Sequence, residues 1–395
     1  MKIYSSIRKS IGALFLLSLP VSAGAVSIEQ ALESFCRSSL SIESDSLQMI
    51  SEIAESSTLA NFSDPEIEGE RLWSSGGGEN KWNASLSWSF DWPGAYKARR
   101  DEGEALRLAA MARYYASRRG KMREMAEGVN SYIAARRKIQ LLEKQLEATE
   151  RMGELVSIMS EHGRATVLDE SKISIERGRL MAAIQQQRDA MGEGARTIRA
   201  VVGQRVDAYL EEQEIEFDLA APGNAVDWEQ YWRNSPDMML ASMEFGVAEA
   251  GMKRVKSESF PEISLGYIHA YEEGSHFNGG RIGISLPLFS QRGRKKAARL
   301  QVESAEGAML ALMGEKRVEA ERMVERLQGL KRSLDELGPV FDTTSPEMLL
   351  RKSFEAGQIT LLTYLTERNY YLEAEMDYIE LQSSYSSLMT QLRLL

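Results

Sequence analysis

The sequence predicts a mainly α-helical, internally duplicated chain: a long coiled-coil barrel of helices joined to a membrane β-barrel that trimerisation completes, with four strands from each chain. Three observations predict it. Two segments alternate apolar and polar residues, a seven-residue apolar repeat follows each of them, and the whole order recurs after about half of the 395 residues.

The chain opens on an expected export signal. Lys2, Arg8 and Lys9 precede the short apolar run IGALFLLSLPV, and Ser22-Ala23-Gly24-Ala25 supplies a small-residue cleavage site, so residues 1–25 are expected to be removed. The run is too short for a retained spanning anchor. Its loss removes three basic residues and moves the net charge from −10 to −13. An acidic exported chain is a poor nucleic-acid binder. The only cysteine, Cys36, has no internal partner, and it lies too far past the cut to carry a lipid at the mature N-terminus. No other segment is apolar enough for a spanning helix, so any membrane crossing is made by strands.

The first alternating segment is KWNASLSWSFDWPG, residues 81–94, with Trp82, Ala84, Leu86, Trp88, Phe90 and Trp92 on one face. The second is GRIGISLPLF, residues 280–289, with Ile282, Ile284, Leu286 and Leu288 on one face. A partner precedes each. Pro65-Glu66-Ile67 opens the first and Pro261-Glu262-Ile263 the second, 196 residues later. In the second partner Ile263, Leu265, Tyr267, His269 and Tyr271 alternate with smaller residues, whereas EIEGERLW in the first carries too weak a pattern to be read as a strand by itself. Turn-rich stretches at 74–80 and 272–278 close two β-hairpins, about 65–92 and about 261–289.

After the first hairpin, Leu108, Tyr115, Met122 and Val129 form one heptad row. Met111, Met125, Tyr132, Ile139 and Leu146 form the other, interrupted by Arg118 and Arg136. After the second, the rows are Ala320, Leu327, Leu334, Phe341 and Met323, Leu330, Leu337. Gly338-Pro339 and Ser345-Pro346 are expected to break this second helix before its tip. Each long helix ends in a matching turn, where Gly163 and Gly357 suit a left-handed position and Thr166 and Thr360, three residues on, suit the cap of a returning helix. The expected units are residues 26–221 and 222–395, each a helix, a hairpin and a long helix pair.

Four strands cannot close in lipid, because an open sheet edge leaves backbone groups unpaired. Eight, from two chains, give a tube filled by its own side chains; about twelve, from three, leave room for water. The aromatic face then meets lipid, through Trp82, Leu86, Trp88, Phe90, Trp92, Leu265, Tyr267, Ile282, Ile284 and Leu286, with Trp82 and Trp92 at the interfacial girdles. The alternative is a soluble sandwich or a small sheet packed on helices.

Several stretches together resemble the TolC-type outer-membrane factors of Gram-negative efflux and secretion systems. They are SIEQALE at 27–33, NSPDMMLASMEFGVAEAGMKRVKSESFPEISLGY at 234–267, SLPLFSQRGRKKAARLQVESAE at 285–306 and SFEAGQITLLTYLTERNYYLEAEMDYIELQSSY at 353–385. The last, with WPGAYKARR at 92–100, looks nearest to the branch serving heavy-metal cation efflux. The resemblance implies a passive homotrimeric outer-membrane channel with a long periplasmic extension. Its partners would be a periplasmic adaptor (membrane-fusion) protein and an inner-membrane pump of RND type, with ABC type as the alternative. It also implies adaptor docking at the tips, Gly163, Arg164, Ala165 and Thr166 with Gly357, Gln358, Ile359 and Thr360. The tunnel would narrow just past the tips, near Asp169, Thr363 and Thr366. Relatives with acidic residues at the positions of Thr363 and Thr366 and a basic one at that of Ile359 set a pattern that this chain leaves. Asp169 is then either a member of a pore-lining carboxylate ring or a helix-start carboxylate favoured by the dipole.

His162, His269 and His276 lack ligand spacing, and no metal or cofactor site is expected. No nucleophile–base pair or phosphate loop stands out; Gly76-Gly77-Gly78 reads as a hairpin loop, and the chain is not expected to be an enzyme. Within the channel class, type I protein secretion is the alternative to cation or small-molecule efflux; outside it, the alternative is a soluble periplasmic coiled-coil scaffold.

Overall fold

The computed structural model describes residues 26–394 apart from 74, 76–79, 204–205, 221–232, 273, 288–290 and 344–345. The expected signal peptide, the first hairpin's loop and the boundary expected at 221 therefore lie outside the described residues, as does Leu288. No described helix is long and apolar enough to cross a membrane.

The chain begins with α1 (Ile28–Ser38) and α2 (Leu40–Thr58). Ser27 and Gln30 satisfy each other's backbone N–H groups in a capping box that starts α1. The first hairpin follows as β1 (Glu66–Leu72) and β2 (Lys81–Phe90), and then the long helix α3 (Pro93–Glu161) and its return α4 (Val167–Val202). A short α5 (Asp207–Glu212) precedes α6 (Pro236–Ser257), β3 (Glu262–Glu272), β4 (Ser275–Ser285), α7 (Gln291–Thr343), α8 (Pro346–Glu355) and α9 (Leu361–Arg393). Among the described residues the order of helix, hairpin, long helix, tip and return occurs twice. With 69 residues, α3 is about 100 Å long at 1.5 Å per residue.

Two sequence expectations need correction. Pro339 does not break the second descending helix, because α7 runs through it to Thr343. The upper part of the first heptad row is also open, with Leu108 and Tyr115 exposed. There the helix buries alanines instead, Ala98, Ala109, Ala110 and Ala112, which bring neighbouring helices close. Lower down the heptads behave as expected: Met125, Val129, Tyr132 and Ile133 join Ile198, Val201, Val202 and residues of α1 in one core. Close approach of α3 and α4 is built in at Gly128 and Gly194, since a Cβ on Gly194 would sit 2.8 Å from the Gly128 carbonyl oxygen. In the second half Leu327 and Leu334 of α7 meet Tyr385, Leu388, Met389 and Leu392 of α9.

The four strands form one antiparallel sheet in the order β1-β2-β3-β4, so β1 and β4 are both edges. Hence β1, the weak strand of the sequence, is a strand because β2 templates it, from Glu66 opposite Ser87 to Leu72 opposite Lys81. The register places Leu86 opposite Tyr267, Trp88 opposite Leu265 and Phe90 opposite Ile263, and continues them into Ile282 and Ile284 of β4. Directly opposed residues share a face, so the two alternating segments merge into one apolar surface.

Candidate functional site

That surface is uncovered. Trp82, Leu86, Trp88, Leu265, Tyr267, Ile282, Ile284 and Leu286 are all exposed, Ile282 at 76%, while Phe90 is half-buried against Trp88. The opposite face carries Glu66, Glu68 and Glu70 beside Ser87, Ser85 and Asn83, and Asn83 donates to Glu70 at 2.8 Å. Aromatic rings mark both ends of the apolar band. At one end Trp82 stacks on Tyr271, near His269 and His276; at the other Trp92, just past β2, stacks on Phe260 at 5.8 Å. Ten residues separate Trp82 from Trp92, about 33 Å along a strand and about 25 Å of height at the usual barrel tilt.

The two tips are near-copies. Gly163 and Gly357 both sit at φ 70°, in the left-handed region. Around Gly163, the Gly163 N–H donates to the Ser160 carbonyl and the Arg164 N–H to that of Met159. Around Gly357, Gly357 donates to Phe354 and Gln358 to Ser353. Each is a Schellman closure that satisfies the last helical carbonyls. Thr166 then accepts from the Asp169 N–H at 3.3 Å, and Thr360 from the Thr363 N–H at 3.2 Å, which restarts the chain as α4 and α9.

One apolar cluster holds both tips. Met152 and Val156 of α3, Ile173 of α4, Phe354 of α8 and Leu361, Tyr364 and Leu365 of α9 pack together. Ala165 and Ile359, expected at a docking surface, lean into this cluster and are half-buried; the apolar residue two past each glycine anchors the turn. Gly163, Arg164, Thr166, Gly357, Gln358 and Thr360 remain exposed. Sequence reasoning missed a second matched pair: Leu168 and Leu362, each two residues past its threonine cap, are 72% and 59% exposed. The signal was their equal offset from the caps, visible only by aligning the tips.

Just past the first tip, the Asp169 carboxylate is bound into the cap. It accepts from the Thr166 N–H at 3.1 Å, from the Thr166 hydroxyl at 2.7 Å and from Lys172 at 2.9 Å. Lys172 and Thr166 hold its pKa down, to about 2. Thr363 holds the matching place in the second tip, its hydroxyl 3.0 Å from that of Thr360, and Thr366 is exposed one turn on. Farther from the tips, Arg368 of α9 is 1% exposed and lies 3.5 Å from the buried Glu176 of α4. The guanidinium also faces the Tyr364 ring at 5.6 Å, but its Nε and one Nη have no hydrogen-bond partner among the described residues. Nothing in the sequence marked this pair, because a lone arginine on a long helix reads as a solvated one.

Cys36 is buried in the first core, and that burial pushes its thiol pKa up. Among the described residues no group of three or more His, Cys, Asp or Glu is placed to hold a metal ion, although His269 and His276 stack on adjacent strands at 5.3 Å.

The family described as outer membrane efflux protein matches residues 57–204. No curated protein matches the chain. Among solved structures it is similar to a membrane protein from Pseudomonas aeruginosa, at 16% identity and TM-score 0.78, covering 93% of this chain and 89% of that one. The outer membrane protein VceC of Vibrio cholerae is 16% identical, with TM-score 0.76 and coverage of 92% and 94%. The open state of the Neisseria gonorrhoeae MtrE outer membrane channel is 13% identical, with TM-score 0.67 and coverage of 93% and 88%. The resemblance to TolC-type outer-membrane factors is thus met by a family match over 57–204 and by the fold of outer-membrane channels over nearly the whole chain.

Proposed function

We propose that this chain, a TolC-type outer-membrane factor by fold and by its matched segment, is one of three that close a passive duct through the outer membrane of a Gram-negative cell. The twelve strands of the three copies would form the barrel, and their helices would form the tunnel that receives substrate from an adaptor and an inner-membrane pump. The observation that carries the reading is the sheet: one face apolar and bare, two edges unpaired, and aromatic rings at both margins. Lipid accounts for the face, and neighbouring copies account for the edges. The tips are the adaptor sites, where exposed Arg164 and Gln358 flank the glycines and Leu168 and Leu362 offer matched apolar contacts.

The substrate reading, metal cations before other small molecules, rests on the likeness of residues 353–385 to the cation-efflux branch, and a pump of RND type goes with it. Deleting the gene should sensitise cells to particular metal ions, and the wild-type gene should restore tolerance. A double Leu168→Ser, Leu362→Ser protein should reach the membrane and fail to restore it. Unchanged tolerance to every metal tested would remove the cation assignment; full rescue by the double variant would remove the tip assignment.

A further inference from the structure

The helical side of the apolar band ends in a cluster of cations. Below the Trp92–Phe260 stack, α3, α6 and α7 lie side by side. Their ends nearest the sheet expose Lys97 and Arg100 on α3, Lys253 and Lys256 on α6, and Lys295 and Lys296 on α7. None of the six has an ion pair among the described residues.

Three carboxylates at this level, Asp91, Glu102 and Glu258, are already taken, while Asp101, Glu249 and Glu262 form no ion pair among the described residues. Arg99 binds Asp91 at 2.7 Å and Glu258 at 3.1 Å, and Arg254 binds Glu102 and Glu258. These two arginines clamp α3 to α6 from within and neutralise those three acids, which leaves the six outward cations in excess over Asp101, Glu249 and Glu262. The placement also runs against local preference: neither α3 nor α7 has an acidic residue in its first turn, where the dipole favours one, and each carries lysine close to its start. By contrast α1, α4 and α6 open on Glu29, Asp169 and Asp237. A net positive rim directly beneath a lipid-facing band and its aromatic margin lies at the depth of lipid headgroups.

We propose that this rim binds the phosphate headgroups of anionic phospholipid in the membrane leaflet nearest the helices, and so fixes the barrel's depth. The proposal rests on the duct reading. Cations at an anionic headgroup layer contribute about a fivefold gain in binding each.

The test uses full-length protein extracted in mild detergent, exposed to equal amounts of phosphatidylglycerol and phosphatidylcholine, with retained lipid counted by native mass spectrometry. Wild type should retain phosphatidylglycerol over phosphatidylcholine by about fivefold or more. A Lys253→Gln, Lys256→Gln, Lys295→Gln, Lys296→Gln variant should fall towards parity, and its lysine-to-arginine counterpart should keep the preference. Single-channel conductance in a phosphatidylcholine bilayer separates the two readings. Parity in wild type, or an undiminished preference in the glutamine variant, with conductance intact, overturns the headgroup site alone. Failure of wild type to insert or conduct overturns the duct, and the headgroup site with it.

Discussion

At the residue scale, the tips turn on two backbone torsions. Gly163 and Gly357 have nothing within 4 Å of an added Cβ, so an alanine there would meet strain and no crowding. Gly163→Ala and Gly357→Ala should each lower stability by about 1–2 kcal/mol, the cost of the left-handed region for an L-residue, measured by urea unfolding. A cost near zero would mean that the turns can relax out of the left-handed form. Asp169 makes a pH prediction. Its folded pKa, about 2, lies below the ordinary value of 3.8. The stabilisation it contributes is therefore complete above the ordinary value and fades as pH falls towards 2. The stability gap between wild type and Asp169→Asn should be constant from pH 7 to 5 and shrink between pH 4 and 2; a gap that vanished by pH 5 would show that the cap does not hold the carboxylate. The glycine and threonine offsets of both tips were legible in the sequence, because capping chemistry is local. The inward lean of Ala165 and Ile359 was not, because the cluster they join brings Met152 and Val156 beside one tip together with Phe354 and Tyr364 beside the other.

At the element scale, the heptads foretold the long helices but not which faces they bury in one chain. Leu327 and Leu334 pack as expected, yet Leu108 and Tyr115 stand exposed, since an apolar row can serve a neighbouring copy as well as its own chain. Strand β1 was illegible for a related reason: Glu66, Glu68 and Glu70 alternate with Ile67, Gly69 and Arg71, and only pairing with β2 makes the segment a strand. Those carboxylates also guard an open edge against pairing with its own kind. Between the returning helices, Arg368 and Glu176 form a buried pair with part of the guanidinium unsatisfied. Arg368→Ala should lower stability by about 3 kcal/mol, because it leaves the buried Glu176 carboxylate with only the exposed Arg179, at 3.4 Å, whereas Arg368→Met with Glu176→Gln should recover most of that. Equal losses in the single and double variants would show that the arginine acts through its packing alone.

At the scale of the whole molecule, one chain leaves its sheet open. Its sheet has two free edges and a bare apolar face, which water disfavours, and its fold is that of outer-membrane channels. The alternation of residues 81–90 and 262–272 made the bare face legible, since period-two patterning survives into the sheet unchanged. The charged rim beneath it was not legible, because Lys97, Lys253 and Lys296 lie far apart in sequence and meet only when α3, α6 and α7 align. The central claim is that lipid covers the face and that three copies join the edges. The measurement that tests it most directly is the molar mass of protein released from the outer-membrane fraction, by light scattering with the detergent contribution subtracted. Three chains per particle, recovered only with detergent, is the predicted result; a monomer recovered without detergent would contradict the duct.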